Sequence, residues 1–266
     1  MKAPALLRAA HLGPTVAVTA VAGLLAVSAR LDLSRQVLVV LAVLAGQLTI
    51  GWSNDLLDAR RDKQVGRADK PLATGELRES TVLTGLAVSG TACVVLSLAL
   101  GWRSGLCHLV LGVGAGLAYN LGLKGTRWSW LPYAVAFAAL PAVVTLAHRP
   151  PELPPWPVVL AGGLLGVGAH LVNVLPDLDD DAATGVRGLP HRLGARASQR
   201  VATAVLVLGS LAVVLGPTGG PGVWGWVALL LTLVLAVAAV LGRGQTPFRA
   251  AVAIALVNVA MLTLAG

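Results

Sequence analysis

The sequence predicts an all-α polytopic membrane protein with nine transmembrane helices. Of its 266 residues, 56% are hydrophobic and only 12% charged, with a mean hydropathy of +0.79. A soluble domain carries roughly 25% charged residues, so this chain cannot coat a water-facing surface of its size. The apolar residues fall in runs of about 20, the length that crosses a bilayer. The runs are Ala, Val, Leu and Gly with almost no alternation, which disfavours a β-barrel. Disorder, collagen, coiled coil and a disulfide scaffold are excluded by the same composition.

The first run, 11–29, follows Lys2 and Arg8 and contains Ala26-Val27-Ser28, an arrangement shared with signal peptides. It is longer than a typical signal core, and its removal would leave eight spans, so an uncleaved first helix is the simpler reading. The second run, 36–53, stops at an acidic segment. Runs 81–101 and 105–121 hold Cys93 and Cys107, which read as small packing residues. Run 129–147 begins beside Trp128 and Trp130, at the depth of an aromatic belt. Run 157–176 ends on Pro176, placed to loosen its last turn. Runs 198–216, 223–241 and 247–265 complete the set, with Trp224 and Trp226 as further belt residues. The 31 glycines suit close helix–helix approach in lipid.

The net charge of +8 would suggest nucleic acid in a soluble protein. In a membrane protein, Lys and Arg instead accumulate on the cytoplasmic side. Nine spans with the N-terminus inside place 16 of the 20 basic residues on that side, leaving Arg30, Arg35, Arg103 and Arg149 opposite. This orientation makes the N-terminus cytoplasmic and removes the need for a nucleic-acid partner. Of the 12 acidic residues, 10 fall in two segments on the same side. Acidic residues contribute little to topology, so insertion does not require that clustering.

The two acidic segments repeat. Residues 54–75 and 173–194, offset by 119, share Asn54/Asn173, Leu56/Leu175, Asp58/Asp177, Asp62/Asp181, Gly66/Gly185, Pro71/Pro190 and Gly75/Gly194. Four spans separate the copies, which makes the repeat parallel, about an axis along the membrane normal. One domain is therefore expected over 1–266, with halves at about 11–121 and 129–241 and a last helix at 247–265. Asn54, Asp58 and Asp62 form one helical stripe at i, i+4, i+8, and Asn173, Asp177 and Asp181 are expected to do the same. Carboxylates gathered so closely repel unless divalent cations sit between them, and oxygen ligands without His or Cys select a hard ion such as Mg²⁺. Mg²⁺ is commonly completed by substrate phosphates. Arg67, Lys70, Arg187, Arg192 and Lys124 flank the stripes and suit a diphosphate carrying a long apolar tail. Asp69, Glu76, Arg78 and Glu79 read as a solvated face.

Asn54-Asp55-Leu56-Leu57-Asp58-Ala59-Arg60-Arg61-Asp62 resembles the NDxxDxxxD motif of the UbiA superfamily of intramembrane prenyltransferases, which includes 4-hydroxybenzoate polyprenyltransferases. Asp177-Leu178-Asp179-Asp180-Asp181 resembles its DxxxD motif. Lys70 to Gly75 and Tyr119 to Lys124 resemble the segments that follow the first motif and join spans four and five. The resemblance implies a UbiA-like bundle and Mg²⁺-dependent transfer of a prenyl group from an isoprenyl diphosphate to an aromatic or other lipophilic acceptor. It implies catalytic roles for Asp58, Asp62, Asp177 and Asp181, and metal ligation by Asn54, Asp55, Asp58, Asp62, Asp177, Asp180 and Asp181. Arg67, Lys70, Tyr119, Lys124 and Arg192 would bind substrate. One departure is visible: Val174 stands where the first copy has Asp55. Trp52, Tyr119, Tyr133 and Phe137 are candidates to face an allylic cation, with ordinary packing an equal alternative. His11, Asn120, Thr145 and His170 lie in or beside spans, where function and packing explain a polar residue equally well.

Two other readings use the same carboxylates. A CDP-alcohol phosphotransferase keeps its acids in one contiguous motif, whereas these are split. A cation transporter places carboxylates near the bilayer midplane, whereas these lie at span ends among Lys and Arg.

Overall fold

The structure is a computed structural model that describes residues 5–216 and 220–265, with side chains up to Met261. Lys2, counted above for topology, lies outside the described residues. The long helices are α1 (Leu12–Ser28), α2 (Leu33–Gln64), α3 (Glu79–Ala99), α4, α5 (Leu131–Thr145), α6 (Trp156–Asn173), α7 (Ala195–Leu215), α8 (Val223–Leu241) and α9 (Thr246–Ala265). Helix α4 is Trp102–Leu106, a π-helical Cys107–Gly114 and Ala115–Asn120 in direct succession. By length and composition, α2, α3, α7, α8 and the helical stretch Trp156–Ala183 that begins with α6 are able to cross a membrane, while α1, α5 and α9 are shorter apolar helices. No strand occurs among the described residues.

The central core joins α1, α2, α5, α6, α7 and α9 through Leu25, Val39, Val43, Leu140, Val144, Leu165, Leu171, Leu206 and Ile254. Outward faces are apolar as well: Leu230, Leu233, Val234 and Val237 of α8 and Val88, Val95 and Leu98 of α3 are exposed. A water-soluble protein rarely exposes so much contiguous apolar surface, whereas hydrocarbon covers it without cost. Helices α5 and α6 pack closest where glycine permits it. A Cβ on Gly162 would lie 2.4 Å from the Phe137 carbonyl oxygen, and one on Gly166 would lie 2.4 Å from that of Tyr133.

Helix α2 runs far past the apolar run that predicts it. Its 32 residues extend about 48 Å at 1.5 Å per residue, against a hydrocarbon core of about 30 Å. Residues 54–64 contain neither Gly nor Pro, so nothing interrupts the helix where the apolar stretch ends. The first acidic stripe is thus carried on a rigid rod that emerges from the membrane-crossing part.

The second stripe is not a copy of that rod, which corrects the expectation of two equal helical stripes. Helix α6 ends at Asn173, Leu175–Asp177 form a 3-10 turn, and Leu178–Ala183 form a separate short helix. Pro176 supplies the reason, since it lacks an N–H and its ring collides with the carbonyl four residues earlier. Beyond the motifs the chains follow the same course. The Val65 N–H bonds the Arg61 carbonyl, as Thr184 bonds Asp180. Gly66 bonds Lys63 as Gly185 bonds Ala182, and Arg67 bonds Asp62 as Val186 bonds Asp181. Gly66 (φ 69°) and Gly185 (φ 82°) each turn the chain in the left-handed region that glycine enters freely.

Candidate active site

The first stripe and its counter-charges meet at one end of the bundle. Asp58, 13% exposed, takes the Lys124 ammonium on both carboxylate oxygens, with the Oδ2 contact at 2.6 Å, and also pairs with Arg61 one turn on. Lys124 reaches it from the 3-10 turn Leu123–Gly125 between α4 and α5. Burial lowers the affinity of the Lys124 amine for its proton, and Asp58 works against that tendency.

Arg67 ties the segment after the first motif to the second motif. Its Nε and Nη2 donate to both oxygens of Asp69 at 2.8 and 2.9 Å, a bidentate fork that holds the Asp69 carboxyl down at about 2. Its Nη1 lies 2.9 Å from Asp177 Oδ1 and 3.6 Å from Asp180 Oδ2 in the second motif. Asp69, assigned to a solvated face by sequence, is therefore the anchor that aims this arginine. Asp181 faces His191 at 3.6 Å and feels the charges of Asp177, Arg61, Lys124 and Asp58.

Three motif residues have other surroundings. Asn54 Nδ2 donates to Asn120 Oδ1 at 3.1 Å, and Asn120 is fixed in turn by donating its Nδ2 to the Ile50 main-chain carbonyl and to Ser53 Oγ. Asp62 is buried, and its Oδ2 has no hydrogen-bond partner. Asp55 is 1% exposed and accepts from Lys70 Nζ at 2.9 Å. The Lys70 ammonium, expected to face a diphosphate, thus leans on a motif carboxylate. Arg192 is not drawn into the cluster: it is exposed and donates to the Arg187 carbonyl at 3.3 Å. Its position on a short helix after the second loop, Leu189–Leu193, leaves it on the outer side.

Behind the carboxylates lies a group of rings. Tyr119 and Tyr133 meet edge to face at 5.3 Å, His170 lies 4.9 Å from Tyr133 and 5.7 Å from Tyr119, and Phe137 stacks on Tyr133 at 6.5 Å. Asn173, the first residue of the second stripe, donates to the Tyr133 hydroxyl at 3.4 Å. The fully buried Ser129 joins this group to the second loop, contacting His170 Nε2 at 2.9 Å and accepting from the Leu189 N–H at 2.9 Å. Ser129→Ala would strip both partners in a buried place, a loss of about 1–3 kcal/mol. A lowered melting temperature in detergent is the expected result, and an unchanged one would show the hydroxyl to be dispensable. Sequence reasoning passed over Ser129, Arg61 and His191. Their only signal is nearness to motif residues along the chain, which does not distinguish them from neighbours.

The donor set suits a hard divalent cation. It consists of carboxylate and amide oxygens, and the orphaned Asp62 Oδ2 is an acceptor awaiting a positive partner. Among the described residues no three His, Cys, Asp or Glu side chains form a ready cage. Mg²⁺ does not require one, since one or two carboxylates plus substrate phosphates and water complete its shell.

A sequence model of the UbiA prenyltransferase family matches residues 15–262. The chain is 32% identical to the bacteriochlorophyll synthase 33 kDa chain of Cereibacter sphaeroides over 186 residues, 65% of this chain and 60% of that protein. It is 26% identical to naringenin 8-dimethylallyltransferase 2 of Sophora flavescens over 213 residues, 73% of this chain and 51% of that protein. The matched stretches thus span half to three fifths of these relatives' lengths. Among solved structures, the apo UbiA homologue of Aeropyrum pernix K1 superposes with a TM-score of 0.78 at 19% identity, covering 95% of this chain and 98% of that one. The Archaeoglobus fulgidus homologue bound to GPP and Mg²⁺ gives 0.72 at 15% identity, covering 98% of this chain and all of that one. At such identities these two likenesses establish the fold.

Proposed function

The chain belongs to the UbiA prenyltransferase family and is an integral membrane protein, and from that premise we propose that it transfers a prenyl group from an isoprenyl diphosphate to an aromatic or other lipophilic acceptor. The observation that carries this reading is Arg67, which holds Asp69 beyond the first motif and Asp177 of the second in one grip. Residues of both acidic motifs, 119 residues apart, thereby pair with three basic side chains, Arg67, Lys70 and Lys124. The A. fulgidus homologue, bound to GPP or to DMAPP together with Mg²⁺, supports the same donor class and cofactor here.

Asp58, Asp62, Asp177 and Asp181 are the proposed catalytic carboxylates, and with Asn54 they would hold Mg²⁺. When bound, Mg²⁺ supplies positive charge to the diphosphate leaving group. Lys124 and Arg67 donate to phosphate oxygens through charge-assisted hydrogen bonds as the allylic C–O bond breaks and negative charge passes to the leaving group. Tyr119, Tyr133 and Phe137 offer ring faces to the positive allyl fragment. The packed helices around them keep water from that fragment. The acceptor then forms the new carbon bond and gives up a proton. The repeat halves at 11–121 and 129–241, the last helix at 247–265, and a cytoplasmic position for the N-terminus and both acidic loops complete the reading. The matching backbone bonds after each motif and the basic-residue bias support it.

The test uses the purified protein in lipid nanodiscs with Mg²⁺, geranylgeranyl diphosphate and a lipid extract of its host, read by mass spectrometry. A prenylated product that disappears with Asp177→Asn is expected. Full turnover in that variant would remove the second motif from the site.

A further inference from the structure

Asp55 is held unlike the other motif carboxylates. It lies one turn deeper along α2 than Asp58, and its charge is already met by Lys70 Nζ at 2.9 Å. His11 Nε2 sits 3.0 Å from the same Nζ and 4.0 Å from Asp55 Oδ1. An ammonium only donates, so at this contact the imidazole is the acceptor and Nε2 carries no proton. Among the described residues, two of the three ammonium hydrogens are thereby taken and the third is left over.

The position of His11 is built rather than incidental. Its φ of 53° lies in the left-handed region, which non-glycine residues enter uncommonly. The turn before it holds it there. Thr15 Oγ1 donates to the Ala10 carbonyl at 2.7 Å, and a Cβ on Gly51 of α2 would come within 2.5 Å of that same oxygen. The N-terminal turn is thus clamped on α2 with the imidazole over Lys70.

The repeat offers an internal comparison. The offset of 119 takes Asp55 to Val174 and Lys70 to Leu189, so both members of the pair become apolar together. Val174 is buried. In the second copy the post-motif segment is fastened instead by the Leu189 N–H on Ser129 Oγ. Residues that serve each other are expected to change together, whereas loss of a metal ligand alone gives no reason for a lysine 15 residues on to change with it.

We propose that Asp55 is a positioning residue and not a metal ligand: with His11 it orients the Lys70 ammonium so that its remaining N–H meets an oxygen of the diphosphate. This makes the two halves of the repeat unequal, with one supplying a diphosphate-binding lysine and the other an apolar brace. The inference rests on the diphosphate site proposed above. Asp55 Oδ2, also without a hydrogen-bond partner, is the atom through which the alternative would act.

The experiment measures Mn²⁺ binding by electron paramagnetic resonance in the full chain in nanodiscs with inorganic diphosphate. Diphosphate affinity and melting temperature are read on the same samples. Asp55→Asn and Lys70→Leu should each keep the wild-type number of Mn²⁺ ions and weaken diphosphate about 10-fold, the scale of losing an orienting partner. The pair Asp55→Val with Lys70→Leu, which installs the second copy's residues, should melt with the wild type and bind diphosphate no worse than Lys70→Leu alone. A lost Mn²⁺ ion in Asp55→Asn, or a further loss when Asp55 is changed in the Lys70→Leu background, would make Asp55 a ligand and overturn the proposal. Failure of the wild type to bind Mn²⁺ with diphosphate would instead strike the functional reading beneath it.

Discussion

Asp58→Asn is expected to lower turnover of an isoprenyl diphosphate by about 10²–10³-fold, the scale of removing one electrostatic group from a reacting centre. Two cations converge on Asp58: both its oxygens face Lys124, and Arg61 pairs with it on the same helix. The substitution keeps the shape and removes the charge. Helix α2 continues six further residues past it without a glycine or proline, so the rod should persist. The loss should appear in kcat, because leaving-group charge develops only as the bond breaks. Raising Mg²⁺ should recover part of it, because a site with one ligand fewer binds the ion more weakly. Steady-state kinetics across a Mg²⁺ series decide the matter. Turnover within about threefold of wild type at every Mg²⁺ concentration would put the first motif outside the chemistry.

Gly166→Leu is the second large effect, and it acts on the fold. A Cβ there would stand 2.4 Å from the Tyr133 carbonyl oxygen and 2.9 Å from Phe137 Cβ. Main-chain atoms of α5 cannot rotate aside as a side-chain tip can, so α5 and α6 must separate. Overpacking of this kind costs about 1–3 kcal/mol, and a bulky leucine belongs at the upper end. The melting temperature in detergent should fall clearly. Activity should fall with it, since α5 carries Tyr133 and α6 leads into the second motif. Gly163→Ala is the control. Its Cβ would meet Ala138 Cβ at 3.6 Å, an ordinary contact, and should leave stability unchanged. Equal melting of Gly166→Leu and wild type would mean that the two helices do not approach this closely.

The ends of helices were legible only where apolarity marks them. Helix α8 was placed at 223–241 and is Val223–Leu241, because both of its ends coincide with changes in hydropathy. Helix α2 was not, because hydropathy falls at residue 54 while helix propensity does not. The π-helical turns of α4 left no hydropathy signal. They surround His108, whose Nδ1 meets Ser97 Oγ at 2.8 Å, a contact made between helices. Pro176 did mark the place where the second stripe breaks, but not the 3-10 turn that replaces the helix.

The chain's order of residues determined by itself that it is all-helical and lives in lipid, and that its acids come twice. Transfer free energies add residue by residue along a run, and a repeat is a comparison of letters. Tertiary structure alone decided the partnerships: Lys124 on Asp58 across 66 residues, His11 on Lys70 across 59, and Arg67 on Asp177 between the two copies. A carboxylate in the sequence has several cations it could meet. Coulomb attraction falls with distance, and the distance between segments is set only when the helices pack.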